Sequence, residues 1–223
     1  MSEMDVLLGW IERTCKPAAR LLVPVSGGSD SALCFYLLSQ VYPDKTVGVH
    51  AGKEIQEQSW FERIGKIEFV ETPGDYSERE EMRWGRFLAL SLERRAWMVG
   101  CRNRTEQTLG TYSLASRVAT ILPLVGTWKS DVLALCREVG VPKGIIASSL
   151  RADPDCGRPQ SLSEIPYDVI ERFLCVKVGE AAKTDLMTLS SGQLEYLEKM
   201  YIGNAFKRGL PILGPTVQPS EQG

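Results

Sequence analysis

Four short apolar runs, each bounded by turn residues, alternate along the chain with segments of helical length and period. The runs are Leu21–Val25, Thr46–His50, Lys66–Val70 and Ala96–Val99. Runs of this length are typical of buried strands, whereas apolar residues spaced three and four apart are typical of helices. Their alternation predicts parallel strands joined by crossover helices on both faces of a sheet. We therefore predict an α/β, doubly wound, Rossmann-like domain.

The segments between and after these strands predict helices. Asp30–Val41 begins with Asp and Ser, which suit a first helical turn, and Gly140 and Pro142 end a helix over Lys129–Val139. The C-terminal part is accordingly predicted to be helical. Further helices are predicted within residues 1–20 and at Ser77–Arg95, Tyr167–Val178 and Gln193–Tyr201.

The remaining segments are predicted to connect these elements within one domain that spans residues 1–223. Ser148–Pro166 contains three prolines and a glycine with little periodicity, which predicts a long mobile loop. Residues 214–223 are predicted to form a frayed tail.

Composition narrows the function classes. The chain is 43% hydrophobic and 24% charged with a net charge of −2, which is typical of a soluble globular protein and disfavours a nucleic-acid partner. No apolar stretch approaches the ~20 residues of a membrane span. Six cysteines without a CxxC pair, and no recognisable signal peptide, predict reduced thiols in the cytoplasm. A single histidine points any metal site towards carboxylates.

The first strand is followed at once by Ser26-Gly27-Gly28-Ser29-Asp30-Ser31 and then by a helix. Backbone amides and hydroxyls at a helix N-terminus bind anions, and the glycines allow close approach of a phosphate. Asp30 would repel a bare phosphate, so a cation is expected between them. A plain glycine turn with a helix cap is the simpler alternative. We favour a polyphosphate site with these six residues as ATP ligands.

This string resembles the SGGxDS loop of the PP-loop ATP pyrophosphatases, the adenine nucleotide alpha hydrolase-like enzymes. Later segments resemble the NAD synthase family in the same chain order. Val99–Glu106 is similar to its G-T-x-N-K-[ST]-E segment, and Ile121–Pro142 to its N-P-L…K…G-[VI]-P run. Arg151–Asp153 and Asn204–Arg208 resemble its mobile-loop and C-terminal segments.

The resemblance implies a two-step reaction. ATP adenylates the carboxylate of deamido-NAD with release of pyrophosphate, and ammonia then displaces AMP. A glutaminase domain is not recognised in the 223 residues, so ammonia is expected from solution or from a separate donor. The family resemblance also implies a homodimer that acts on small molecules.

Roles for individual residues follow from the same resemblance. Asp30 and Glu106, each after a predicted strand, are expected to hold Mg²⁺, while Lys129 and Thr105 are expected to contact a phosphate of ATP. His50 is expected near the adenine. For Glu106 and Lys129 the alternative is a solvated charge at a helix end, and for His50 a structural role.

The acid substrate is assigned a second set of residues. Asp153 is expected to act in catalysis and to approach the substrate as its loop closes. Cys156, in the same loop, is read as an ordinary thiol. Four basic residues are the other substrate candidates, with a solvated charged face or tail as the alternative. They are Arg83, Arg86, Lys207 and Arg208.

One segment departs from the family pattern. Between Gly110 and Pro123 the family carries G-D-G-x-A-D, whereas this chain has no acid there and has Arg117 where an acid is expected. An ammonia pocket normally contains an acceptor or carboxylate. Two further hypotheses therefore stay open. One is a PP-loop enzyme that adenylates another acid or a tRNA base, and the other is a catalytically silent protein that binds ATP or a dinucleotide.

Overall fold

The computed structural model describes residues 2–71, 79–151 and 159–209. Four parallel strands form one sheet in the order β3-β2-β1-β4. They are β1 (Leu21–Pro24), β2 (Thr46–Ala51), β3 (Ile67–Val70) and β4 (Trp97–Met98). Leu22 pairs with Val47 of β2 and with Met98 of β4, and an isolated parallel bridge joins Val99 to Ile121. The predicted parallel α/β sheet is confirmed.

Helices connect these strands and form the C-terminal part. Before and between the strands they are α1 (Glu3–Cys15), α2 (Ser29–Val41), α3 (Gln58–Ile64) and α4 (Glu80–Glu93). After β4 they are α5 (Arg104–Leu109), α6 (Lys129–Glu138), α7 (Lys143–Ser148), α8 (Gln160–Ser163), α9 (Tyr167–Lys177), α10 (Ser191–Gly203) and α11 (Ala205–Arg208). Two 3-10 turns lie at Leu114–Val118 and Lys183–Thr188.

The predicted long loop is wrong in part. Residues 160–163 of the predicted loop Ser148–Pro166 form α8, which begins after Pro159 and buries Leu162. A proline is compatible with the start of a helix because its fixed φ suits the first turn and no N–H hydrogen bond of the helix is lost there. Three sets of residues lie outside the described ranges: residues 77–78 of the predicted helix Ser77–Arg95, residues 152–158 and the predicted tail.

Apolar side chains cover both faces of the sheet. All four residues of β1 are buried. On one face α2 packs between the sheet and helices α1 and α6, with Phe35, Leu37 and Leu38 fully buried. On the other face Phe87 of α4 packs in a second cluster that contains Leu22 of β1. This arrangement leaves the carboxyl ends of β1 and β4 at one edge of the core.

A third apolar cluster holds the C-terminal helices together. Phe173 and Leu174 of α9 pack with Leu109 of α5 and Leu197 of α10. The cluster packs α5, the next helix after β4, against the C-terminal part. In the described part of the chain no helix is long and apolar enough to cross a membrane.

We expect Phe35→Ala to lower the free energy of unfolding by about 3–5 kcal/mol. Phe35 is fully buried, and a Cβ atom on Gly48 of β2 would lie 3.0 Å from its ring, so the site has little room to collapse around a cavity. Urea denaturation followed by circular dichroism measures the loss. Phe206→Ala is the matched control because that residue is 48% exposed, and its cost should stay below about 1 kcal/mol. Equal losses would contradict this account of the core.

Candidate active site

The loop after β1 is a tight turn held by its own hydroxyl groups. Gly27 has a φ of 89°, in the region that favours glycine, and Ile55 lies 3.3 Å from where a Cβ would stand. The Ser31 hydroxyl accepts a hydrogen bond from the Ser26 amide at 3.2 Å and donates to the Gly28 carbonyl at 3.0 Å. The loop is therefore built before any ligand arrives.

The N-terminus of α2 lies at the end of this loop. Its first intrahelical bond runs from the Ala32 amide to the Gly28 carbonyl at 3.0 Å. The Ser29 amide is taken by the Ser149 hydroxyl at 3.1 Å, at the end of α7. The amides of Asp30 and Ser31 precede the helical ladder, at the positive end of the helix dipole. This is the geometry of an anion site.

Asp30 is held by two donors from other elements. Asn103 donates from Nδ2 to Oδ1 of Asp30 at 2.9 Å, and the Lys129 ammonium pairs with Oδ2. The same ammonium donates to the Ser29 hydroxyl at 2.8 Å. Lys129 is only 3% exposed, so this ion pair is strong and links α2 to α5 and α6.

Glu106 adds a second carboxylate. It lies in the first turn of α5, where its amide donates to Oδ1 of Asn103 at 2.9 Å and its Oε2 accepts from the Asn103 amide at 3.2 Å. Burial, and secondarily the charge of Asp30, raises the pKa of Glu106 to about 7. The charges of the two carboxylates act on one another, which favours a cation between them.

Glu171 of α9 holds the starts of α5 and α6 in place. It accepts from the Thr105 hydroxyl at 2.8 Å, from the Ser130 amide at 3.1 Å and from the Ser130 hydroxyl at 2.5 Å. Thr105 in turn accepts from the Lys129 amide at 3.0 Å. The predicted contact of Thr105 with a phosphate therefore needs correction, because its buried hydroxyl is used to fix the backbone of Lys129.

These residues border a cavity of about 760 Å³. Among the predicted site residues, those that line it are Ser26, Gly27, Gly28, Asp30, Ser31, His50, Arg83, Glu106 and Lys129. His50 contacts the Val25 carbonyl through Nδ1 at 2.7 Å, so its ring is oriented by the neighbouring strand. Ser29 is fully buried behind the loop, and Asp153 and Cys156 lie outside the described residues.

The other predicted substrate ligands do not reach this cavity. Arg86 is exposed one turn from Arg83 on α4. Lys207 donates to the carbonyls of Gly110 and Tyr112 at 2.9 Å each. Arg208 donates to the carbonyls of Tyr201 at 2.9 Å and Thr108 at 3.3 Å. Within the described part of the chain the last two therefore fasten α11 to the fold, and their predicted role with the substrate stays a prediction.

Sequence reasoning missed several residues of the site. Asn103 lies within the family-like segment Val99–Glu106 but was assigned no role, although an Asn three residues before a Glu is a capping signal. Ser149 and Glu171 contact the site from 120 and 66 residues away along the chain, and no local pattern marks them. Arg102, whose side chain lines the cavity, was also assigned no role.

Comparison with known proteins agrees with this geometry. A model of the NAD synthase family matches residues 74–211, which is more than half of the chain. The chain belongs to the NAD synthase family. It is 30% identical over 121 residues to an NH3-dependent NAD synthetase of Trichlorobacter lovleyi, with 52% of this chain and 44% of the relative covered. One from Chlorobium phaeobacteroides is 24% identical, with 61% and 54% covered. The chain spans about half the length of these relatives.

Solved structures of NAD synthase relatives share the fold over nearly the whole chain. An NMN synthetase from Francisella tularensis superposes with a TM-score of 0.74 at 20% identity, covering 96% of this chain and 97% of that one. An NH3-dependent NAD synthetase from Campylobacter jejuni gives 0.72 at 16% identity, with 95% and 97% covered. The fold of this chain is thus that of these solved structures.

We expect Glu171→Ala to destabilise the protein by about 2 kcal/mol or more, because it leaves the buried Thr105 hydroxyl and Ser130 amide unpaired. Urea denaturation measures the change. Glu198→Ala is the matched control, since Glu198 is one-third exposed and forms a surface ion pair with Lys177 that contributes at most about 1 kcal/mol. A cost for Glu171→Ala no greater than that of the control would contradict the positioning role of Glu171.

Proposed function

We propose that this NAD synthase family member is an ATP-dependent amide ligase that forms AMP and pyrophosphate. It adenylates the carboxylate of a nicotinate nucleotide and transfers the acyl group to ammonia. The observation that carries the proposal is the buried pair of Asp30 and Lys129 at the phosphate loop. The relatives are named NH3-dependent NAD synthetase and NMN synthetase, which makes deamido-NAD and nicotinate mononucleotide the two candidate acids.

In the first step the amides at the start of α2 bind the polyphosphate of ATP. A carboxylate oxygen of the acid attacks the α-phosphorus, and the bond from that phosphorus to the pyrophosphate oxygen breaks. Lys129 neutralises charge that develops on the phosphates, and its position is fixed before ATP binds because Ser29, Thr105 and Asp30 all contact it. The preformed site avoids reorganisation during the reaction.

Mg²⁺ fits the two acidic groups of this site. Asp30 and Glu106 are close enough for each charge to be felt by the other, and Mg²⁺ commonly takes one or two carboxylates together with substrate phosphates. When bound, the ion would neutralise phosphate charge. In the described residues there is no cluster of three or more His, Cys, Asp or Glu side chains for an all-protein site, so the phosphates would complete the ligand set.

In the second step ammonia attacks the acyl carbon, a carbon–nitrogen bond forms, and AMP leaves with the carboxyl oxygen. Neutral ammonia needs hydrogen-bond acceptors more than it needs a charge. The segment without acids contributes the hydroxyls of Ser113 and Ser116 to the cavity wall. These oxygens are the acceptors that we assign to the nucleophile, with ammonia supplied from solution or by a separate donor.

The alternatives receive less support. A silent relative would not need to keep Lys129 buried against Asp30, because an unused buried ion pair contributes little net stability. A tRNA substrate is disfavoured by the net charge of −2. We place the enzyme in the cytoplasm and, as the family resemblance implies, expect a homodimer.

The proposed reaction is tested by incubating the protein with ATP, Mg²⁺, ammonium and either deamido-NAD or nicotinate mononucleotide. We expect AMP, pyrophosphate and the amide to form in equal amounts with one of the two acids. Chromatography measures the three products. Omission of the acid should abolish pyrophosphate release. Failure of both acids to give amide would overturn the proposal.

We expect Lys129→Met to lower kcat on the order of a hundredfold or more, because a preformed positive group is lost from the reacting phosphates. Lys45→Met is the matched control. Lys45 precedes β2 at the opposite end of the sheet, where its ammonium donates to the Lys16 carbonyl, and kcat should stay within about twofold. Steady-state kinetics with saturating ATP checks both, and a Lys129 variant with the wild-type kcat would contradict the assignment.

A further inference from the structure

Arg102 is a buried cation that lines the cavity. It lies in the segment between β4 and α5, and only 9% of its surface is exposed. Its guanidinium carbon lies 3.6 Å from the centre of the Tyr112 ring, and Nη1 donates to Oε1 of Gln107 at 3.0 Å. Its Nε is buried without a hydrogen-bond partner in the part of the chain that the structure describes. In the described ranges the groups that contact this charge are thus neutral.

Such a charge is costly to bury unless an anion accompanies it. Burial lowers the pKa of Arg102, while Tyr112 and Glu106 counteract the effect and Arg117 adds to it. Glu106 acts on Arg102 through its charge, and its Oε2 accepts from the Asn103 amide. No carboxylate within the described ranges forms a salt bridge with Arg102, so an anion that enters the cavity would supply the missing partner.

The position of Arg102 indicates which anion this is. Arg102 lines the same cavity as Asp30 and Glu106, and its charge is close enough to Glu106 to lower the pKa of that carboxyl group. On its other side Tyr112, Ser113 and Ser116 form the wall of the segment that lacks acids. The acid substrate would lie between this wall and ATP. Both molecules are negative, and a cation beside them offsets their repulsion.

We propose that Arg102 binds an oxyanion of the acid substrate, either its carboxylate or its phosphate. This assignment rests on the proposed function and specifies its substrate end. A guanidinium suits both groups because its planar fork binds two oxygens at once. The Tyr112 ring covers one face of that plane, so we expect the anion to approach the edge of the guanidinium on the side of the cavity. Arg102 stands at the variable position of the G-T-x-N segment, where the family motif assigns no residue type.

The test is a binding measurement that does not need turnover. Isothermal titration gives Kd for nicotinate mononucleotide, deamido-NAD and ATP with the wild-type protein, Arg102→Met and Arg102→Lys. We expect Arg102→Met to bind the preferred acid about ten- to a hundredfold more weakly, as for loss of a charge-assisted hydrogen bond, and Arg102→Lys to lie between it and the wild type. The Kd for ATP should change by less than about twofold.

Arg104→Met is the matched control for loss of an arginine. Arg104 also lies over an aromatic ring, 4.2 Å from the centre of Trp128, but it pairs with Glu180 and is not among the residues that line the cavity. Its removal should leave the Kd of the acid within about twofold of the wild type. Thermal melting of both variants separates weaker binding from a loss of folded protein.

Two analogues distinguish the carboxylate from the phosphate. Nicotinamide mononucleotide keeps the phosphate and lacks the carboxylate, whereas nicotinate riboside keeps the carboxylate and lacks the phosphate. If Arg102 binds the phosphate, Arg102→Met weakens the first analogue alone, and if it binds the carboxylate, it weakens the second alone. A variant that binds both analogues and the parent acid as the wild type does would overturn the proposal.

The outcomes separate this inference from the proposed reaction. A wild-type protein that binds an acid but forms no amide would overturn the reaction, and the variant-to-wild-type ratio of Kd would still decide the role of Arg102. A protein that turns over normally, with the acid Kd unchanged in Arg102→Met, would overturn the inference alone. A wild-type protein that binds neither acid would overturn both.

Discussion

The contact between Lys129 and Asp30 is the interaction on which the site depends. Lys129 is 3% exposed, so its ammonium has little bulk solvent as an alternative partner, whereas the Asp30 side chain is 19% exposed and lines the cavity. Their attraction draws the start of α6 onto the start of α2, and Asn103 adds α5 to the same carboxylate. Three elements that begin at different strands or loops thus converge on one side chain, and the edge of the sheet becomes a site.

That convergence needs support from behind, which Glu171 supplies. A single carboxylate on α9 satisfies donors on α5 and α6, and the apolar cluster around Phe173 keeps α9 in place. The C-terminal helices therefore support the site from behind, and Tyr167 at the start of α9 also lines the cavity. Lys207 and Arg208 contribute in the same way, because they close the chain onto the carbonyls at the end of α5 and beyond.

Charge distinguishes this chain within the NAD synthase family. The segment between Gly110 and Pro123 has lost the acids of the family motif, and Arg102 and Arg117 lie close enough to repel one another. The local field at the substrate end is accordingly more positive than the family motif indicates. Such a field suits an anionic substrate and a neutral nucleophile, which is consistent with ammonia rather than ammonium as the species that reacts.

The sequence by itself determined the alternation of the four strands with the longer helices and the glycine turn that precedes α2. Both are local: buried strands and helices leave periodic patterns, and a glycine with positive φ beside a helix start has a recognisable string. Asp30, Glu106 and Lys129 could likewise be proposed from motifs that match the family. The start of α8 could not, because a segment rich in proline is compatible with either a loop or a short helix.

The tertiary structure alone decided which side chains meet. The Thr105 hydroxyl supports the backbone of Lys129, and Lys207 and Arg208 fasten α11 to carbonyl groups of the same chain. Arg83 but not Arg86 faces the cavity, since one turn of a helix is enough to move a side chain out of reach. Arg102 emerged only when burial, the Tyr112 ring and an unpaired nitrogen were seen together. Hydrogen bonds and desolvation depend on distances between residues far apart in the chain, and no local pattern of residues encodes those distances.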